Sequence, residues 1–133
     1  MPELHFYLKN EGIRTSTDFG QLNISSDDAL GFRPYQLMVS SIAGCSLSVF
    51  RKILDKQRTE YEDIKVTADV TRNEEEANRI EKIHLHYVVK GRHLNEDKLY
   101  KNLETSRNNC SMVQSVQDSI QIEETLECIE ISL

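Results

Sequence analysis

Several residue types and patterns that mark large protein classes are scarce or missing here. Of 133 residues only two are proline and five glycine, which excludes collagenous and Pro/Gly-rich low-complexity chains. Cysteine is sparse and odd in number. Cys45, Cys110 and Cys128 stand far apart with no Cys-x-x-Cys, so the spacing fits neither a secreted disulfide framework nor a zinc site. Positive charge is in deficit: 16 Lys and Arg against 22 Asp and Glu give a net charge of −6. That field repels nucleic acid phosphates and anionic lipid, so no nucleic acid or membrane partner is expected. The opening Met1-Pro2-Glu3-Leu4-His5 has neither the basic segment nor the apolar stretch of a secretory leader, and the longest apolar run, residues 37–54, is interrupted by four serines. A cytoplasmic protein is expected. Glycine-rich phosphate loops and Gly-x-Ser-x-Gly turns are lacking too, and no cofactor is expected.

What is present is the composition of a globular protein, 38% hydrophobic and 29% charged, at a length that suits one domain over residues 1–133. A stable dimer would add apolar burial at this size. Weak alternation at 5–8 and 13–17 about Asn10-Glu11-Gly12 predicts a hairpin, and 21–24 predicts a third strand. Pro34 suits the first turn of a helix over 35–56 that is apolar on nearly every side and is therefore expected to be buried. Ser41, Gly44, Cys45 and Ser48 form a stripe of small residues along it. Strict alternation follows, with Ile64, Val66, Ala68 and Val70 and then Ile83, Leu85, Tyr87 and Val89, joined through the polar stretch 73–79. This predicts a long antiparallel hairpin with one solvated face and a solvated Glu74-Glu75-Glu76 turn. Helical composition over 95–106 ends at Asn108-Asn109, Cys110 opens a second short helix, and 120–133 reads as a strand with a bulge near Cys128. The order predicts an α+β fold, an antiparallel sheet packed on a central apolar helix.

The cysteines differ in their surroundings. Cys45, taken alone, reads as a small hydrophobe in an apolar helix, although the small residues beside it leave room for a pocket. Cys110 stands at a helix N-terminus, where unpaired N–H groups and the dipole lower a thiol's pKa, with Arg107 near enough to add to the effect. By this electrostatic criterion Cys110 is the more activated of the two. Cys128, between Glu127 and Ile129, reads as structural. His84 and His86 share a solvated strand face with no evident third ligand, and with His93 they read as polar surface, so no metal is expected.

The string Phe32-Arg33-Pro34-Tyr35-Gln36-Leu37-Met38-Val39-Ser40-Ser41-Ile42-Ala43-Gly44-Cys45 resembles the signature of the OsmC/Ohr family, in which Ala-Gly-Cys lies inside a central helix. Asn109-Cys110-Ser111-Met112-Val113 resembles that family's second cysteine motif, and the element order is similar across almost the whole chain. The resemblance implies an OsmC-like fold, with antiparallel sheets around a long buried central helix, in an intertwined homodimer with an active site at each end of the interface. It implies a stress-related, thiol-dependent reduction of organic hydroperoxides. Cys45 would attack the peroxide and become a sulfenic acid, Cys110 would resolve it as a disulfide, and a dithiol reductant would restore the pair. This assignment reverses the electrostatic ranking above. Arg14 falls where the family places an arginine that supports the peroxidatic thiolate. The chain departs from the pattern at Tyr35, where characterised hydroperoxide reductases of the family carry a glutamate that positions this arginine. Tyr35 can hydrogen-bond but cannot pair ionically, which points to the OsmC-like branch. It also keeps open an alternative, a non-catalytic dimer that binds a small hydrophobic molecule at its interface or senses redox state.

Overall fold

A computed structural model describes residues 3–132, and its packing gathers into two units, one ending at Ser40 and one beginning at Ser41. In the first unit β1 (Tyr7–Lys9), β2 (Gly12–Ser16) and β3 (Gln21–Ile24) form an antiparallel sheet in that order, with Leu8 opposite Ile13 and Arg14 opposite Asn23. Gly12 starts β2 at φ +138°, a conformation glycine alone adopts readily, and a Cβ there would press on the Ile24 carbonyl. Thr15 is buried, its hydroxyl donating to the His5 carbonyl at 2.7 Å. Large apolar side chains of this unit stay in solvent: Phe6, Leu8, Phe19 and Phe32 are all more than half exposed.

The chain passes into the second unit through α1 (Pro34–Lys56), with Pro34 at the first helical position as expected. Its length and composition would let it cross a membrane, but Ile42, Ser46, Phe50 and Leu54, each four residues apart, lie on one face and are buried. Leu47, Val49 and Ile53 on its other sides are only half-buried. The central helix therefore fills the core along one stripe and leaves much of its apolar surface uncovered within the chain.

The alternating segments form the expected hairpin of β4 (Glu60–Asn73) and β5 (Arg79–Arg92), with Ile64, Val66, Ala68 and Val70 opposite Val89, Tyr87, Leu85 and Ile83. They are joined by a short 3₁₀ turn, Glu74–Glu76, capped by the Asn73 side chain accepting from the Glu75 N–H. Then come α2 (Glu96–Asn109), whose N-cap Asn95 accepts from the Lys98 N–H at 3.1 Å, α3 (Ser111–Val116) and β6 (Gln121–Glu130).

Two details differ from the sequence expectation. β6 runs parallel to β5, because the α2–α3 connection is long enough to carry the chain back to the same sheet end; the larger sheet, β4-β5-β6, is mixed. The β5–β6 register is also unbroken through Cys128, opposite Val89, so the bulge expected there is absent; the irregularities fall in β4–β5, at Tyr61/Asp63 and Thr71/Arg72. One face of this sheet supplies the core. Ile83, Leu85, Tyr87 and Val89 are wholly buried together with Phe50 and Leu54 of α1, Leu99 and Leu103 of α2 and Val113 of α3. The Tyr87 ring meets Phe50 edge-on, centroids 5.2 Å apart.

Candidate functional site

The first N–H groups of a helix have no partner within it. In α3 they are turned toward α1. The half-buried Cys45 thiol accepts from the Met112 backbone N–H and bonds the Cys110 thiol, the Ser111 hydroxyl at 3.8 Å and the Ser111 N–H. These contacts, the Met112 amide foremost, hold its ionisation below the ordinary thiol value against the opposing effect of burial. The α3 amides that the sequence reading credits to Cys110 are thus turned to Cys45. Cys110 does cap α3, but its own side chain makes no cap bond, and the amides it introduces serve Cys45. Arg107 is engaged elsewhere, donating from Nη1 to Glu124 Oε1 at 3.0 Å.

Cys110 is wholly buried and accepts a hydrogen bond from the Ser46 hydroxyl at 3.4 Å. Ser46 is fixed in turn, its carbonyl accepting from the buried Ser106 hydroxyl of α2 at 3.0 Å. All three cysteines are free, and no two of them lie at disulfide distance. Cys128 is half-buried on β6, where burial, then the charges of Glu96 and Glu130, push its thiol up.

Arg14 and Tyr35 belong to the first unit. Arg14 is exposed on β2, its Nε donating to its cross-strand neighbour Asn23 at 3.0 Å. The Arg33 guanidinium lies 4.9 Å over the Tyr35 ring, and the Tyr35 hydroxyl accepts from Gln36 at 3.4 Å.

Sequence reasoning missed four residues around the thiols. Ser46 and Ser111 carry no pattern of their own; each stands beside a cysteine and becomes visible only once α1 and α3 are packed. Tyr87 was read as core, and it is, but its buried hydroxyl lies beside that of Ser46 without full hydrogen-bond geometry. Its ionisation is pushed far up by burial, then by the charge of Glu124. Glu124 had a signal in the sequence, since it shares its strand phase with Ile122, Leu126 and Cys128, a place for an apolar residue. Its side chain is 1% exposed and its carboxyl is raised by burial, a shift that Arg107 partly offsets.

On the opposite sheet face His84 and His86 both contact the Thr125 hydroxyl, at 2.8 and 2.6 Å, with Glu123 and Glu127 beyond them at 3.4 Å. Among the described residues no group of three His, Cys, Asp or Glu is placed to hold a metal ion.

Known proteins share this fold. The family model described as OsmC-like protein matches residues 26–125. A hypothetical protein from Aquifex aeolicus VF5 has a similar structure, with TM-score 0.87 and 25% identity over 99% of this chain and 98% of that one. An OsmC-like protein from Mycoplasma pneumoniae aligns with TM-score 0.82 at 14% identity over 96% of each chain. An organic hydroperoxide resistance protein, OsmC, from Legionella pneumophila aligns with TM-score 0.73 at 16% identity, over 96% of this chain and 98% of that one. A search of curated proteins gives no significant match. With residues 26–125 of its 133 matched by one family model, the chain belongs to the OsmC-like proteins.

Proposed function

We propose that the protein is a cytoplasmic, thiol-dependent reductase of organic hydroperoxides. The Cys45 thiolate attacks the terminal peroxide oxygen, forming a sulfenic acid and releasing the alcohol. The Cys110 thiol then displaces the hydroxyl as water to give a Cys45–Cys110 disulfide, and a dithiol reductant restores both thiols. Arg14 and Tyr35 are assigned to positioning the peroxide. The observation that carries this reading is the hydrogen bonding of the Met112 and Ser111 amides to Cys45, with the Cys110 side chain adding to their effect, which favours the thiolate. The Legionella pneumophila neighbour, an organic hydroperoxide resistance protein, supports the substrate class.

The active form is proposed to be a homodimer, which the half-buried apolar sides of α1 and the exposed Phe6, Leu8 and Phe32 support. The uncharged Tyr35 favours a second reading, a dimer that binds a small hydrophobic molecule or senses redox state without turnover. The two are separated by treating the reduced protein with an equimolar amount of tert-butyl hydroperoxide and mapping disulfides by mass spectrometry, with Cys45→Ser as control. A Cys45–Cys110 linkage formed within seconds is the expected result. Two free thiols beside persisting peroxide would remove the reductase reading.

A further inference from the structure

The second step of the proposed cycle places a demand on Cys110 that its surroundings answer. To close the disulfide, Cys110 must give up its proton and its sulfur must attack Cys45. The S–S bond forms, the S–O bond of the sulfenic acid breaks, and the departing hydroxide takes the proton to become water. The two electrons that oxidise the pair have already gone to the peroxide, so no further oxidant enters. A thiolate in a wholly buried position is opposed by desolvation unless hydrogen bonds replace the lost water.

Ser46 supplies such a bond. Its hydroxyl is itself wholly buried and donates to Cys110 Sγ at 3.4 Å, so it touches a reacting atom. A hydroxyl has one proton that rotates to suit its surroundings, so a second polar group beside it influences how firmly that proton stays aimed at sulfur. The Tyr87 hydroxyl is the group beside it. Tyr87 is the largest fully buried side chain and its ring is braced by Phe50, so the hydroxyl has little freedom to turn away. Across the sheet Glu124 is opposite Leu85, diagonal to Tyr87 on the same face, with Oε1 held by Arg107 and Oε2 buried without a hydrogen-bond partner. Burial, then a negative charge on Glu124, disfavours tyrosinate, so the Tyr87 hydroxyl keeps its proton.

We propose that Ser46 is a further catalytic residue, the hydrogen-bond donor that stabilises the Cys110 thiolate during disulfide closure, and that Tyr87 is a positioning residue which acts through Ser46. The role rests on the reductase reading for its use in turnover, but the stabilisation of Cys110 is measurable without it. The titratable groups facing this thiol are Cys45 from α1 and, through Ser46, Tyr87 from β5, with Glu124 of β6 acting on Tyr87 and paired to Arg107 of α2.

The experiment titrates Cys110 alone, in full-length protein carrying Cys45→Ser and Cys128→Ser. Ultraviolet thiolate absorbance is read against pH, with the corresponding Cys110→Ser protein as baseline. Adding Ser46→Ala is expected to move the midpoint upward and cut the thiolate present at neutral pH roughly tenfold, the scale of one hydrogen bond to a charged group. Tyr87→Phe, which keeps the ring in the core, is expected to move it in the same direction by less, and the two changes together by no more than Ser46→Ala alone. In the parent sequence both variants should retain the first step, trapping of the Cys45 sulfenic acid by dimedone, while closing the disulfide more slowly. An unchanged Cys110 midpoint in both folded variants would overturn the proposal even if peroxide is turned over. A shifted midpoint in a protein that ignores peroxide would support it and sink the reductase reading instead.

Discussion

Cys45 depends for its lowered ionisation first on the Met112 amide, then on Cys110, with the Ser111 hydroxyl and amide adding smaller contributions. A thiol whose pKa is lowered reaches its full thiolate level at lower pH, so iodoacetamide labelling of Cys45 is expected to level off at lower pH than labelling of Cys128, whose thiol is pushed up by burial. Ser111→Ala should shift the Cys45 profile upward while leaving the backbone donors in place; site-resolved mass spectrometry across a pH series reads both. A second residue-scale prediction concerns Arg107. The Glu124 carboxyl is raised in the fold, so its contribution to stability is present below the ordinary carboxyl range and lost as pH rises through the raised value. Arg107→Ala removes the cation that offsets this. The expected loss is about 2 kcal/mol at neutral pH, below the roughly 3–5 kcal/mol of a fully buried pair because Arg107 is 36% exposed. The loss should shrink in acid, and urea denaturation at two pH values measures it.

At the scale of elements, α1 joins core and chemistry on adjacent positions. Its buried face, Ile42, Ser46, Phe50 and Leu54, packs the second unit, and Cys45 comes one residue before Ser46 on that stripe. Phe50→Ala removes a wholly buried ring and the edge-on contact with Tyr87, which is expected to cost about 3–5 kcal/mol in chemical denaturation. Because the same ring braces Tyr87, the loss should be accompanied by slower disulfide closure. Helix α3 shows how little an element needs in order to matter: six residues long, it contributes the amides that make Cys45 different from Cys128.

For the whole molecule, the uncovered apolar surface is the main fact. Leu47, Val49 and Ile53 of α1 remain half-buried, and the first unit leaves Phe6, Leu8 and Phe32 largely in solvent. A protein with a net charge of −6 keeps itself soluble by repulsion, yet this much apolar area is expected to be covered by a second copy. Sedimentation equilibrium should give twice the chain mass, and Leu47→Glu with Ile53→Glu should shift the equilibrium toward monomer. A monomer at micromolar concentration in the unaltered protein would refute the dimer.

The local order of the chain was legible without coordinates. Strict alternation located β4 and β5, an apolar stretch opening at Pro34 located α1, helical composition over 95–106 located α2, and the Ala-Gly-Cys and Asn-Cys strings pointed to the two cysteines, because these signals live in neighbouring residues. The direction of β6 was not, since a strand's alternation is the same whether it pairs parallel or antiparallel. Nor was the destination of the α3 amides. Helix N-terminal amides were credited to the cysteine beside them in sequence, whereas packing turned them toward a cysteine 66 positions away from Ser111. Ser46, Tyr87 and Glu124 meet only because α1, β5 and β6 share one core, and whether a buried hydroxyl or carboxyl packs, pairs or reacts is decided by what faces it across that core.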